Sequence, residues 1–459
     1  MSFAMSWRDH YIATLILSLP LVVGQVAMIG VWTADIVMLG WISTDALAAG
    51  TQANRLYQPF YFIALGLTLA VSPLTAQALG AGSRRQARRV MRQGLWLAVV
   101  YGVITLIPLW FGRELLLALG QDPELAENAG PFLRMLAPGL IPTYIYFVLR
   151  NYVSAHKRPM PPVIVNLCGV VINIILNKVL SEGLFGLPAM GLAGIGLATS
   201  ITFTTMALML AVYMNLRPPF RFTRPFARLN RMDWGITRRL LIIGFPISMT
   251  LLAETGMFII AGLYIGLFGT VAVAASGIAN QIAAVSFMVP LAISQAATIR
   301  VGHEAGAGRR GDLMRAGIAA VVLTLLICLI LTLLLAVFSK QFIGAFLNAD
   351  DPAFLAVLTL GVPMVMITAL FQLADGLQVV FTSILRGIND TRVPAILSII
   401  CYFGIGGSCG YTLATPLGMG PIGVWWGLLL GLTSGAVLIG GRCLFIRQRI
   451  RNGQELIMV

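Results

Sequence analysis

Three carboxylates lie within stretches that otherwise carry almost no charge: Asp35, Glu254 and Asp375. The other fourteen acids fall in breaks, ends or tails. A carboxylate in such surroundings is costly unless it faces a wet cavity, is paired, or holds a proton. The chemistry on offer is therefore reversible uptake of a proton or of a hard cation. Asn173 and Asn177, four residues apart, share one helix face, and Thr199 interrupts another apolar run close to Gly194 and Gly196. Their amide and hydroxyl oxygens, brought beside Asp35, would complete an oxygen-rich ion site. The alternative is that they only join helices together. Arg55 is a cation at a depth similar to that of Asp35, because the two flank a hairpin tip near Ser43. It either pairs with Asp35 and modulates its charge, or lines a wet vestibule.

Other chemistries lack their residues. No G-x-x-x-x-G-K-[ST] phosphate loop is present, and no Ser–His or Cys–His pairing falls within the apolar runs. The five cysteines have no metal-ligand spacing, and His10, His156 and His303 sit at segment ends. A nucleotide-driven pump and an enzyme are both disfavoured. Ion coupling remains, with no cofactor beyond the coupled H⁺ or Na⁺.

The elements that must position these residues are membrane helices. Of 459 residues, 58% are hydrophobic and 10% charged, against about 25% charged in soluble proteins. Apolar runs of spanning length fall at 11–40, 46–79, 93–112, 130–150, 160–181 and 190–215, and again at 238–268, 272–299, 316–338, 353–385, 394–414 and 421–441. The expected fold is all-α, with twelve transmembrane helices. At about 1.5 Å per residue, Glu254 and Asp375 lie more than about 12 Å from either end of their runs, near the midplane. Asp35 lies closer to an end. The first run is too long for a secretory signal core, so it is expected to be a retained span.

Lysine and arginine sit in alternate breaks. With both termini inside, 26 fall on inner segments and 3 on outer loops, while Arg55 and Arg134 remain within apolar runs. That bias gives an orientation with both termini cytoplasmic. The net charge of +14 is thus carried by loops, and nucleic-acid binding is not expected.

The sequence also repeats. A shift of 226 residues lays Pro20 on Pro246, Asn54 on Asn280, Ala81-Gly82 on Ala307-Gly308, Arg84 on Arg310 and Arg89 on Arg315. The expected organisation is an amino-terminal six-helix lobe (1–215), an Arg-rich cytoplasmic linker (216–237), and a carboxy-terminal six-helix lobe with a short basic tail (238–459). Parallel repeats of this kind place substrate at the interface between halves. Asp35 overlays Ala261 and Glu254 overlays Met28, so the shared architecture demands neither acid.

Twelve spans in two repeated halves, the stretch Ile299-Arg300-Val301-Gly302-His303 and the run Leu385-Arg386-Gly387-Ile388-Asn389-Asp390-Thr391 resemble the multidrug and toxic compound extrusion (MATE) transporters. Glu254 and Asp375, the latter within Phe371-Gln372-Leu373-Ala374-Asp375-Gly376-Leu377-Gln378, resemble their NorM-type bacterial branch. The resemblance implies alternating access between two lobes, with cationic or aromatic compounds exported against inward Na⁺ or H⁺. It implies an amino-lobe ion site of Asp35, Asn173, Asn177 and Thr199, and a carboxy-lobe site of Glu254 and Asp375. Phe371 stands where a relative can carry a tyrosine hydroxyl, and Arg55 where an apolar or neutral residue is usual. The missing hydroxyl tilts the expectation towards H⁺.

The expected function is secondary active multidrug efflux by antiport. A lipid-linked precursor flippase of the same superfamily is the nearest alternative, although its phosphate cargo would want a basic cavity. A membrane-embedded enzyme is the alternative from another class. Expected partners are small cationic or aromatic molecules and membrane lipid, and the protein is expected to be a monomer.

Overall fold

The structure, a computed structural model, describes residues 5–347, 352–452 and 454. Among these residues there is no strand. Twelve helices are long and apolar enough to cross a membrane. They are α1 (Trp7–Ile42), α2 (Thr44–Gly80), α3 (Arg84–Trp110), α4 (Pro123–Ala155), α5 (Met160–Glu182) and α6 (Gly191–Leu216), followed by α7 (Trp234–Gly266), α8 (Thr270–Gly306), α9 (Arg310–Val337), α10 (Phe354–Gly387), α11 (Arg392–Ala414) and α12 (Pro421–Arg451).

The helices outrun the apolar stretches at their basic ends. α3 starts at Arg84 rather than 93, α8 continues to Gly306 rather than 299, and α12 to Arg451 rather than 441. Hydropathy reports only the part that lipid must cover, whereas backbone hydrogen bonding continues into the polar turns beyond. Many arginines counted among the loops therefore belong to helices, among them Arg150 in α4, Arg300 in α8 and Arg386 in α10. Arg150 and Arg300 are buried.

The repeat is visible in the helix bounds. The same shift of 226 carries the bounds of α2 onto those of α8, and the start of α3 onto that of α9. Both turns depend on a glycine. Gly82 and Gly308 have φ of 74° and 69°, the left-handed conformation in which a side chain is strained. Each closes the preceding helix: Ser83 N donates to the Ala78 carbonyl at 2.8 Å, and Arg309 N to that of Glu304 at 3.0 Å. Asn389 (φ 66°) ends α10 in the same way, with Asp390 N donating to Leu385 at 2.9 Å. The Asp390 carboxylate then accepts from Arg442 Nε at 2.9 Å.

By contact the chain forms two compact units, Val23–Ser248 and Met249–Val459 together with Met1–Val22. The divisions fall two residues after Pro20 in α1 and two after Pro246 in α7, positions that the repeat superposes. Proline interrupts the helical hydrogen-bond ladder, and the membership of each helix changes there. The segments 1–215 and 238–459 drawn from sequence follow the loops instead, so contact grouping differs from them at both places.

In the unit containing Met249–Val459, Leu17 and Leu21 pack on Ala292, Ala296 and Ile299 of α8. Arg300 Nη1 donates to the His10 carbonyl at 2.6 Å and also contacts the Thr14 hydroxyl. Glu304 and Asp312 balance that charge, and the Glu304 carboxylate also accepts from Arg309 at 2.7 Å. α11 opens into wider π-helical turns over Ile400–Gly407, a local geometry that often marks functional positions.

In the unit Val23–Ser248, the Arg-rich segment lies against α3. Arg88, Arg92, Gln93 and Trp96 donate to the carbonyls of Thr223, Arg228, Arg231 and Leu229 at 2.8, 3.0, 3.0 and 2.7 Å. His156, just beyond α4, is wedged between Tyr152 and Phe220, with ring centroids 4.5 and 4.8 Å away. Burial pushes its imidazole down to about 4, the nearby charges of Arg84 and Arg158 assisting. Between about pH 6.5 and 4 the unfolded chain binds the proton that the fold refuses. Stability is accordingly complete above that window and falls as pH drops through it. His156→Phe should flatten this acid limb in thermal melts recorded from pH 7 to 4; an unaltered limb would assign the loss to other groups.

Candidate functional site

The polar residues singled out on α1, α5 and α6 meet in one place. Asp35 Oδ1 accepts from Asn177 Nδ2 at 2.8 Å and from Asn173 Nδ2 at 3.1 Å. Its Oδ2 accepts from the Thr199 hydroxyl at 2.7 Å. Asn177 also donates to Asn173 Oδ1 at 3.2 Å. All four side chains are buried. The four-residue spacing of the asparagines presents both amides on one face of α5. Gly194 and Gly196 let α6 come close enough for Thr199 to complete the set: a Cβ on Gly194 would stand 2.7 Å from the Leu180 carbonyl, and one on Gly196 2.6 Å from that of Phe132.

This arrangement holds a charged carboxylate by three donors. It also gathers five oxygens, of which Asn177 Oδ1 is buried without a hydrogen-bond partner. A small hard cation or a proton, arriving as cargo, would find acceptors already assembled.

Arg55 is not part of it. The side chain is exposed and its guanidinium donates to Gln52 Oε1 at 3.4 Å; it forms no ion pair with Asp35. Similar depth along a hairpin does not fix the direction in which a side chain leaves its helix, and here Arg55 turns to its own helical neighbour. The expected pairing with Asp35 is therefore absent from this structure. Arg55→Ala should leave the pH profile of transport where it is; a displaced optimum, with normal expression, would restore a link to Asp35.

One turn before Asp35, Trp32 begins an aromatic cluster that the sequence alone did not single out. Its ring lies 5.7 Å from Tyr57, 5.5 Å from Tyr61 and 6.5 Å from Phe203, and Tyr61 packs edge-on to Phe147 at 5.7 Å. The spacing of Tyr57 and Tyr61, four apart on α2, is the signal from which it could have been found. Further along, Tyr146 bonds Asn166, Asn166 donates to the Gly24 carbonyl at 2.9 Å, and Arg150 donates to Gln25 Oε1 at 2.6 Å.

The unit containing Met249–Val459 holds the second acid site. Glu254 of α7 and Asp375 of α10 lie close enough for the charge of each to act on the other. Neither carboxylate has a hydrogen-bond or ion-pair partner among the described residues, in contrast to Asp35. Holding two negative charges there is costly unless a proton or a cation shares the site. The charge of Arg386, eleven residues beyond Asp375 on α10, acts on Glu254. Tyr402, within the widened turns of α11, accepts from Gln378 and lies near both acids. Gln372, three residues before Asp375, is fully buried with both amide atoms unpartnered. These three were missed: Arg386 because it reads as a loop cation, and Tyr402 and Gln372 because single polar residues in apolar runs are common. Phe371 stacks on Trp425 at 5.8 Å with planes 16° apart, offering no oxygen.

The MatE family profile matches residues 20–179 and 246–412, so each matched stretch begins at one of the two repeated prolines. A protein named probable multidrug resistance protein NorM from Agrobacterium fabrum is 38% identical over 445 residues, covering 97% of this chain and 96% of its own length. Its namesake from Mesorhizobium japonicum is 40% identical over 435 residues, covering 94% of this chain and 93% of its own. The fold is shared with the crystal structure of the eukaryotic MATE transporter AtDTX14, at a TM-score of 0.83 and 19% identity over 97% of this chain and 99% of that one. It is also shared with that of MATE in complex with MaL6, at 0.87 and 20% over 96% and 97%.

Proposed function

The chain belongs to the MatE family, and we propose that it is a multidrug efflux antiporter of the bacterial inner membrane, with both termini cytoplasmic. Family membership places it among transporters rather than enzymes. Its cargo is a small cationic or aromatic compound, exchanged for H⁺ or Na⁺ by alternating access, and one copy of the chain suffices.

The observation that carries this reading is the partnerless acid pair Glu254 and Asp375. A scaffold gains nothing in stability from two carboxylates within helices of spanning length whose charges act on one another, whereas an ion-coupled transporter needs a group whose charge changes with its state. Ion binding then favours one conformation and release the other, through differential affinity alone. Asp35, with its three donors, supports a second coupling site of different character. The rings of Trp32, Tyr57 and Tyr61 supply faces that attract organic cations or stack on aromatic ones. Phe371 brings no hydroxyl to the acid pair, and a proton needs only one carboxylate oxygen where Na⁺ needs several, so we favour H⁺.

The test is flux of a fluorescent organic cation in proteoliposomes, with pH and Na⁺ gradients imposed separately. Export should follow the pH gradient and persist without Na⁺. Flux that follows only the Na⁺ gradient would reverse the choice of ion, and flux indifferent to both would reject antiport.

A further inference from the structure

Six arginines, Arg85, Arg88, Arg89, Arg92, Arg228 and Arg231, together with Met232 and Asp233, line a cavity of about 190 Å³ between the start of α3 and the segment preceding α7. One acid faces six cations. Arg89 takes that acid as an ion pair. Arg88 and Arg92 each donate to a backbone carbonyl, which leaves the Nε of both buried without a partner. Arg92 is only 5% exposed. The side chains of Arg85, Arg228 and Arg231 donate to no described residue.

This concentration of charge opposes the local physics. Arg85 and Arg89, and again Arg88 and Arg92, are like charges four apart on one helix. They occupy the first turns of α3, the end where the helix dipole already presents positive charge. Positive-inside bias accounts for cations near a membrane face, but not for turning six of them towards one small space. An anion shared between them removes the conflict. Arginine forks match the oxygens of a phosphate group, and at about 30 Å³ per water the space equals about six waters, the scale of one phosphate and its shell. Around it, Phe222, Met232 and Trp234 are 77%, 60% and 65% exposed, the apolar and aromatic side chains that settle at headgroup level.

We propose that this cavity binds a phosphate group, and that the headgroup of an anionic phospholipid supplies it. The site lies outside both acid clusters and does not depend on the transport reading. It is tested on the purified full chain in detergent, titrated with short-chain phosphatidylglycerol, with phosphatidylcholine of the same chain length, and with inorganic phosphate, using native mass spectrometry. Phosphatidylglycerol should bind more tightly than phosphatidylcholine. Arg85→Gln/Arg228→Gln/Arg231→Gln should weaken it by about tenfold or more, the scale of losing one charge-assisted hydrogen bond. Arg447→Gln/Arg449→Gln/Arg451→Gln removes the same charge elsewhere and should leave binding nearly unchanged. Inorganic phosphate that binds, and is lost in the first variant while phosphatidylglycerol is not preferred, would keep the site and make its source a free anion. Equal weakening in both triple variants, or no binding of either probe to the parent, would overturn it. The three replaced side chains hold no other part of the fold, and unchanged melting without lipid verifies that; Arg85→Gln alone, expected to weaken binding part-way, gives a second reading.

Discussion

Ion-driven export should fall to background in Asp35→Asn, while the protein still inserts and folds. The substitution preserves shape. The remaining carbonyl oxygen can keep accepting from Asn173 and Asn177, which now share Oδ1 at 3.1 and 2.8 Å. The new amide replaces the oxygen that accepts from Thr199, and a hydroxyl can rotate from donor to acceptor. The structural cost is therefore about one hydrogen bond, roughly 1 kcal/mol. The functional cost should be total, because an amide has no charge to gain or lose when an ion arrives. Thr199→Val, which deletes one donor and keeps the charge, should reduce export only partly. Drug resistance in cells carrying Asp35→Asn at the parental level would remove Asp35 from the coupling site.

The second large effect is expected at the acid pair. Glu254→Gln and Asp375→Asn should each abolish gradient-driven export, and the double substitution should be no worse than either single one. Groups that work as a unit are not additive in their loss. Stability should move the other way. Among the described residues the two carboxylates have no hydrogen-bond or ion-pair partner, so removing one charge relieves repulsion and leaves no new unpaired ion. Melting temperatures of the single variants should equal or exceed that of the parent. Lost export with an equally large loss of stability would make the pair structural, and retained export would defeat the coupling role outright.

The residues legible from sequence are those whose type contradicts their surroundings. Asp35, Asn173, Asn177 and Thr199 stand out in apolar runs, and helical periodicity by itself puts the two asparagines on one face. Twelve helices and the shift of 226 were legible for the same reason: hydropathy and spacing survive without knowledge of packing. What could not be read was rotation about each helix axis. Arg55 and Asp35 share a depth but not a direction. Tyr402 reaches the acid pair from widened turns that no spacing rule anticipates. Arg386 was hidden by its place at the end of an apolar run, where charge is ordinary.

The change of membership within α1 has a consequence for how the chain is made. Leu17 and Leu21 leave the ribosome long before their neighbours Ala292, Ala296 and Ile299 exist. At about 5–20 residues per second, the interval is roughly 15 to 60 s. For that time His10 and Thr14 wait without Arg300, the side chain that will bind both. The opening stretch of the first helix is thus a late-closing clasp, completed only when α8 has been synthesised. A break in the segment between α6 and α7 would yield two pieces, each carrying a helical stub whose proper neighbours are on the other. Neither piece is a self-sufficient folding unit, and the two should accumulate only when produced together in the same cell.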